Sequence, residues 1–286
     1  MLRNLGLLVF SAILVACVEV KEVTADQLVE RDGITYEKFS SEPFTGRVSG
    51  ELEFGAYKDG MKTGPWERFY ENGQLSERRE YVDGNQNGKW ERYNENGQLS
   101  ERREYVDGDL NGLWETYDEH GQLFARSEYV NGKMNVLEFL YENGQLSERR
   151  EYGDGEQNFI MENYRKNGQL QMRGEYADGK PNGLFEDYYE NGQLYERTEY
   201  VDGEVTGLAE TYYENGLLGF RGEFIDSEPK GLWEYYHESG QLRKREEYVD
   251  GKKNGIWEIY SADGVLELRE VWEDGELVSR TGEVLD

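Results

Sequence analysis

A repeat of 24 residues runs through most of this chain, and it constrains the fold more than any other feature. The segment ENGQLSERREYVDG at residues 71–84 recurs unchanged at 95–108 and with one change at 142–155. If Trp66 is the first residue of a unit, the equivalent residues follow at intervals of 24, with one interval of 23: Trp66, Trp90, Trp114, Leu137, Met161, Phe185, Ala209, Trp233 and Trp257. A unit of this length, repeated about nine times, predicts an array in which each unit packs on its neighbours.

Each unit predicts a β-hairpin. An aromatic-rich segment leads into Asn72-Gly73, the dipeptide best suited to a two-residue type I′ turn, and a second extended segment follows. Asp83-Gly84 predicts another turn, because glycine accepts a positive φ there. No stretch shows an apolar period of 3.6 residues. We therefore expect an all-β fold, an elongated array of antiparallel β-hairpins that forms a single twisted sheet.

The register of the hairpin follows from the Asn-Gly turn. With those two residues in the turn, Glu67 lies opposite Arg78, and the same spacing places Glu91 opposite Arg102. Every unit has Glu at its second position and Arg at its thirteenth. The sequence thus predicts nine structural Glu–Arg pairs across strands, each worth about 0.2–1 kcal/mol.

The same register predicts which side chains share a face of the sheet. It places Trp66, Leu75, Arg79 and Tyr81 on one face, and it places Glu67, Phe69, Arg78 and Glu80 on the other. Repeated aromatic residues usually hold a sheet together by packing on one another. A single-layer sheet also leaves such a face uncovered, and open apolar area marks partner surfaces. The candidate partner-binding residues on the aromatic face are Trp66, Trp90, Trp114, Trp233, Trp257, Tyr81, Tyr105 and Tyr129.

The charge of the chain restricts its partners. Asp and Glu number 60 against 32 Lys and Arg, which gives a net charge of −28. A surface this acidic disfavours nucleic acid, whose recognition requires basic contacts to phosphate, and it disfavours anionic membrane surfaces. The charge favours a protein partner of basic character.

The sequence predicts no catalytic residues, no cofactor and no metal site. Each Glu has counterparts in the other units, whereas a catalytic site is a unique constellation of residues. His120 and His237 fall at the hairpin tips of different units, where turn residues are expected. The Asp-Gly turns suggest calcium as an alternative, but one Asp per turn does not supply the several converging oxygens that calcium requires. We therefore expect a protein that is not an enzyme.

The N-terminal residues predict export and a lipid anchor. Residues 1–16 contain one basic residue and an apolar run too short to span a bilayer, as in a signal peptide. The letters LVAC, which end at Cys17, resemble the bacterial lipobox, in which the cysteine is lipidated. Val18 follows, and resemblance to Gram-negative lipoproteins then implies the outer membrane, facing the periplasm or the cell surface. We expect residues 17–65 to form the lipidated segment with a degenerate first repeat, and residues 66–286 to form the array.

The recurring pattern Gly-x-Trp-Glu-x-Tyr-Tyr-Glu-Asn-Gly-Gln-Leu resembles the repeats of bacterial MORN-repeat variant proteins. The segments at 31–36 and 43–46 are similar to the sequence that often precedes those repeats. The resemblance implies a twisted antiparallel array that acts as a binding scaffold. Many bacterial members are described as antitoxins, so an antitoxin or immunity protein that neutralises a toxin is one alternative. Because aromatic rows also stack on sugars, a carbohydrate or peptidoglycan binder is another. We expect first an outer-membrane lipoprotein whose MORN-like array binds protein.

Overall fold

The computed structural model describes residues 20–153 and 157–282, so Cys17 and the predicted signal peptide lie outside the described residues. This part of the chain is all-β except for one 3₁₀ turn at Ala25–Gln27. Its strands are β1 (Glu22–Thr24), β2 (Leu28–Arg31), β3 (Ile34–Glu37), β4 (Gly46–Ser49), β5 (Glu53–Lys58), β6 (Met61–Phe69), β7 (Leu75–Val82), β8 (Asn85–Tyr93), β9 (Leu99–Val106), β10 (Asp109–Tyr117), β11 (Leu123–Val130), β12 (Lys133–Leu140), β13 (Leu146–Tyr152), β14 (Phe159–Tyr164), β15 (Leu170–Ala177), β16 (Lys180–Tyr188), β17 (Leu194–Val201), β18 (Glu204–Tyr212), β19 (Leu218–Ile225), β20 (Glu228–Tyr236), β21 (Leu242–Val249), β22 (Lys252–Tyr260), β23 (Leu266–Glu273) and β24 (Glu276–Gly282).

Among these strands, 22 form one open sheet in sequence order. Each strand from β4 to β24 pairs antiparallel with the next, and β1 pairs in parallel with β4 at the N-terminal end. Strands β2 and β3 form a separate two-stranded sheet. Short turns suffice to join antiparallel neighbours, so the chain adds two strands per repeat without crossovers. The predicted all-β array of hairpins in a single sheet is confirmed.

The prediction of a type I′ turn at Asn72-Gly73 is wrong. The Gly73 N–H donates to the Tyr70 carbonyl at 2.9 Å, and the Tyr70 N–H donates to the Gln74 carbonyl at 2.8 Å. Of the loop residues only Gly73 has a positive φ, at 84°. These features define a three-residue loop, a type I turn followed by a left-handed glycine. The Asn72 side chain supports this loop because its oxygen accepts the Gln74 N–H at 2.9 Å.

The type I′ turn instead occurs at the aspartate-glycine dipeptide. Asp83 has φ 47° and Gly84 has φ 84°, and Val82 pairs with Asn85 across the turn. A type I′ turn requires positive φ at both central residues, and Asp is one of the few residues that tolerate this conformation before glycine. The two turn types therefore alternate along the array, with the three-residue loops at one end of the strands and the type I′ turns at the other end.

The longer Asn-Gly loop changes the register close to it. Glu67 lies opposite Arg78 and Trp66 opposite Arg79, in the predicted register, but a bulge beside the loop places Leu75 opposite Phe69. The assignment of Leu75 to the face of Trp66 is therefore wrong, because one inserted residue moves a side chain to the other face. We call the face of Trp66 the tryptophan face and the face of Glu67 the glutamate face, and the same division holds in every unit.

A second bulge explains the glycine that precedes seven of the nine units and the single interval of 23 residues. Between the pairs Arg79–Trp90 and Tyr81–Gln86, Glu80 faces three residues of β8. Gly88, at φ 108°, lies among them, and a Cβ on it would stand 2.2 Å from a Glu80 carboxylate oxygen. Strand β12 has one residue fewer opposite β11 at this point, and the unit there is one residue shorter.

Candidate binding faces of the sheet

The glutamate face carries a ladder of ion pairs that links successive units. The Arg78 guanidinium binds the Glu67 carboxylate at 2.7 Å within one hairpin. Arg102 lies between two units, with Glu91 at 3.3 Å in its own hairpin and Glu115 at 3.2 Å in the next. The same bridging recurs along the sheet at Arg149, Arg245 and, through Glu210, at Arg197 and Arg221. These carboxylates are bound within the chain.

Tyrosine hydroxyls complete this ladder. The Tyr93 hydroxyl donates to Glu91 at 2.9 Å and the Tyr117 hydroxyl donates to Glu115 at 3.0 Å. Burial, together with the bonded carboxylate, raises the pKa of Tyr117 and Tyr188 to about 12. The sequence shows an aromatic residue at the fourth position of eight of the nine units, but we did not predict its contact with the Glu.

A second ladder joins the hairpin tips, and it was not predicted from the sequence. The Tyr70 hydroxyl donates to the Tyr93 carbonyl of the next unit at 2.7 Å, and the Asn72 amide donates to the Glu95 carbonyl at 3.0 Å. A His237 ring nitrogen contacts the Tyr260 carbonyl at 3.1 Å in the same role, whereas His120 is exposed at its tip. Within residues 20–153 and 157–282, no group of three or more His, Cys, Asp or Glu side chains is placed to hold a metal ion.

The candidate partner-binding tryptophans lie together on the tryptophan face, and most are packed by the chain itself. Trp66 and Trp90 are each 6% exposed and Trp257 is 7% exposed, while Trp114 and Trp233 are half-buried. Tyr81, Tyr105 and Tyr129 lie on the same face, beside Trp66, Arg103 and Trp114 respectively.

Cations cover the rings near both ends of the sheet. The Lys62 amine lies 4.1 Å from the ring centroid of Trp66, and the Lys253 amine lies 4.0 Å from that of Trp257. Arg103 lies between two rings, 4.5 Å from the centroid of Trp90 and 4.2 Å from that of Trp114. These cation–π contacts stabilise the face and reduce the ring surface that a partner can reach.

The middle of the tryptophan face has a different composition. We define the central segment as β15 to β19. The aromatic rings of the tryptophan face form a row across the strands, which we call the aromatic row. The row continues in the central segment, where the ring centroid of Phe185 lies 5.2 Å from that of Tyr176 and 5.0 Å from that of Tyr200. The positions that hold Arg79 and Arg103 near the N-terminal end hold Gly174, Thr198 and Gly222 here. Among the described residues, no cation lies over the rings of this part of the row.

One aromatic residue of the row was missed from sequence. Phe159 lies two residues before Met161, the first residue of its unit, at the position that glycine has in most other units. Its ring stacks on Tyr176 at 4.7 Å and lies 5.6 Å from Tyr152. The available signal was the aromatic replacement of the glycine that usually precedes a unit.

Stacked hairpins joined by two ladders define the molecule as a β-hairpin repeat protein. Five segments match the family model described as MORN repeat variant: residues 62–83, 86–107, 110–131, 181–202 and 229–250. The chain therefore contains MORN-type repeats, and each matched segment covers one hairpin between two type I′ turns. The units that begin at Leu137, Met161, Ala209 and Trp257 lie outside these matches but form the same hairpin.

The other comparisons add little. The search of curated proteins gave no match. Among solved structures, the crystal structure of TcdB2-TccC3 is similar with 12% sequence identity and a TM-score of 0.18, over 79% of this chain and 16% of that chain. In the described part of the chain, no helix has the length and apolar character needed to cross a membrane.

Proposed function

We propose that this protein is a non-enzymatic scaffold whose MORN-type array binds another protein through the tryptophan face. The observation that carries the proposal is the central segment, where the aromatic rings of a single-layer sheet have neither a covering layer nor a cation above them among the described residues. Exposed aromatic surface with neighbouring polar groups is typical of protein-binding sites. Repeats that add one unit at a time also build the long surfaces that scaffold proteins use.

The acidic surface of the array favours a basic partner protein. The carboxylates of the Glu–Arg ladder are bound within the chain, but a second column of eight glutamates runs along the glutamate face. The column consists of Glu80, Glu104, Glu128, Glu151, Glu175, Glu199, Glu223 and Glu247. Among the described residues, Glu151 is the only one of these eight that forms an ion pair. Uncompensated charge of one sign steers an oppositely charged partner toward the molecule.

We place the scaffold in the cell envelope as an outer-membrane lipoprotein. The support is the sequence alone, namely the signal-peptide pattern of residues 1–16 and the lipobox that ends at Cys17. A lipid on Cys17 would leave the array free to meet partners in the periplasm or at the cell surface. An antitoxin or immunity protein would be a particular case of the same scaffold, one whose basic partner is a toxin.

A capture experiment tests the proposal. The mature chain, with Cys17→Ser to remove the lipid site, is immobilised and exposed to envelope extract in about 0.15 M and about 1 M salt. We expect basic proteins to be retained at the lower salt and released at the higher, because screening weakens surface electrostatics. An acidic protein of similar net charge is the control bait. Capture of no protein beyond that control would overturn the scaffold function, and sedimentation with purified cell wall that persists in high salt would favour the carbohydrate binder.

A further inference from the structure

One row of side chains on the tryptophan face crosses the sheet with alternating charge near its N-terminal end. Successive cross-strand partners there are Glu53, Arg68, Glu77, Arg92 and Glu101. In the central segment the same row places Asp187 directly opposite Glu196. Like charges directly opposite one another destabilise a sheet, so this pair reduces the stability of the array.

No cation in residues 20–153 and 157–282 neutralises this pair of carboxylates. The other neighbours in the row are Met172 beside Asp187 and Thr211 beside Glu196. Within the described residues neither carboxylate forms an ion pair, and Glu196 accepts only the Thr198 hydroxyl, at 3.2 Å. Burial and the nearby Glu196 raise the pKa of Asp187, as expected for a carboxylate that lacks a counter-charge.

The chain itself shows how a guanidinium binds on this face. The Arg103 Nε atom lies 2.8 Å from the Glu101 carboxylate, and its guanidinium is flanked by the rings of Trp90 and Trp114. Arg150 has the same arrangement, 2.6 Å from Glu148 and 5.7 Å from the ring centroid of Phe159. The arrangement has three parts: an arginine, a carboxylate two residues before it, and an aromatic ring beside it.

The unit that begins at Phe185 has every part of this arrangement except the arginine. Glu196 is equivalent to Glu101, and Phe185 is equivalent to Trp90. Thr198 stands where Arg103 stands, and Tyr200, equivalent to Tyr105, packs edge-on against Phe185 with the ring centroids 5.0 Å apart. Phe185, Glu196 and Tyr200 are half-buried, so part of each side chain is accessible. Asp187 adds a second carboxylate on the side of the neighbouring strand.

We propose that Phe185, Asp187, Glu196 and Tyr200 form a seat for an arginine side chain of a basic partner protein. The incoming guanidinium lies beside Glu196 and on the accessible ring surface of Phe185 and Tyr200, as Arg103 lies beside Glu101 and the ring of Trp90 in its own unit. Two carboxylates suit arginine better than lysine, because the planar guanidinium donates along two directions and stacks on rings. The inference rests on the proposed scaffold function and names the chemistry by which the partner is recognised. We call these four residues the arginine seat.

The seat can be tested without knowing the partner. N-acetyl-arginine amide is titrated into the mature chain and followed by NMR, with N-acetyl-citrulline amide as the uncharged analogue of the same shape. We expect arginine to shift the amide signals of residues 185–200 in a saturable way and citrulline to bind at least about tenfold more weakly. Equal binding of both compounds, or shifts spread evenly over the whole array, would overturn the seat.

Variants separate the seat from the overall acidity. Glu196→Gln should weaken arginine binding by at least about tenfold, whereas Glu190→Gln, at the exposed hairpin tip between β16 and β17, should leave it unchanged. Thr198→Arg supplies an arginine from the chain itself, so it should abolish binding and raise Tm by about 2–4 °C. Asp187→Asn provides a second test if Thr198→Arg fails to fold. Equal losses in Glu196→Gln and Glu190→Gln would contradict the seat.

The same variants distinguish the two proposals in the capture experiment. Loss of the basic partner in Thr198→Arg and Glu196→Gln, with retention in Glu190→Gln, would support the seat as the docking point. Partners that all three variants retain equally would overturn the seat but leave the scaffold function standing. Capture of no protein by the unaltered chain would overturn the scaffold function, while the titration with the arginine amide would still decide whether the seat binds guanidinium.

Discussion

Single glycines decide where the aromatic rings of the tryptophan face can lie. Gly174 pairs with Phe185, and a Cβ on Gly174 would stand 2.3 Å from a carbon of that ring. Gly55 and Gly222 leave the same space for Trp66 and Trp233. Gly174 does not have a positive φ, so its role is to make room and not to permit an unusual backbone.

Gly174→Ala should destabilise the protein by about 1–2 kcal/mol, because the clash with Phe185 outweighs the lower entropy of the unfolded alanine chain. Urea unfolding measures this change. Gly153→Ala is the matched control, since a Cβ there meets only the Asn158 carbonyl at 3.9 Å and valine occupies the equivalent position at Val82 and Val106. Similar losses in both variants would show that the space beside Phe185 is unimportant.

At the scale of the hairpin, the two turns differ in kind although both end in glycine. Asn72-Gly73 closes a three-residue loop, whereas Asp83-Gly84 forms the two-residue type I′ turn. The dipeptides alone do not distinguish these outcomes, because Asn-Gly and Asp-Gly both favour type I′. In the structure Asn72 bonds the backbone of its own loop and that of the next unit, and both bonds belong to the longer loop.

Adjacent hairpins are coupled through the arginines of the ladder. Arg102→Glu should destabilise the array by about 2 kcal/mol, because it removes the bridge between Glu91 and Glu115 and places a third carboxylate beside them. Thermal unfolding should show the loss as a lower Tm. Arg243→Glu makes the same charge change at an exposed position that has no ion pair within the described residues, and it should cost much less. A drop in Tm no larger than that of Arg243→Glu would contradict the bridging role.

At the scale of the whole molecule, the repeated tyrosines couple stability to alkaline pH. The pKa values of Tyr117, Tyr164 and Tyr188 are raised from 10.0 to about 12 by burial and by the bonded carboxylates. The folded state therefore keeps phenol protons that the unfolded chain loses first as the pH rises. This stabilisation is fully present below about pH 10 and is lost as the pH rises toward about 12.

We expect the free energy of unfolding to fall steeply between about pH 10 and pH 12, and urea titrations at a series of pH values measure the slope. The triple replacement of these three tyrosines by phenylalanine should make the slope shallower, because fewer protons are lost on unfolding. Tyr195→Phe, at a side chain that is 44% exposed, is the control and should leave the slope nearly unchanged. An equal slope in the triple variant would contradict the coupling.

Much of the array could be predicted from the sequence because the strands and turns assigned to one unit apply to every other unit. The alternation of aromatic and polar residues around two glycine turns was sufficient for the hairpins, and the spacing of Glu67 and Arg78 for their register. The face of Leu75 was predicted wrongly because a single bulge residue reverses the side of every residue between it and the turn. The contact of Tyr70 with the next unit could not be predicted, since it depends on how closely neighbouring hairpins stack.

The sequence by itself determined the repeat, the antiparallel order of the strands and the acidic character of the surface, because these follow from local periodicity and composition. The tertiary structure decided which carboxylates are neutralised. Whether a Glu meets an Arg depends on the strand beside it, and the register between neighbouring strands is fixed only when the bulges are in place. For that reason Glu101 lies beside Arg103, while Asp187 and Glu196 face each other without a cation of the described chain.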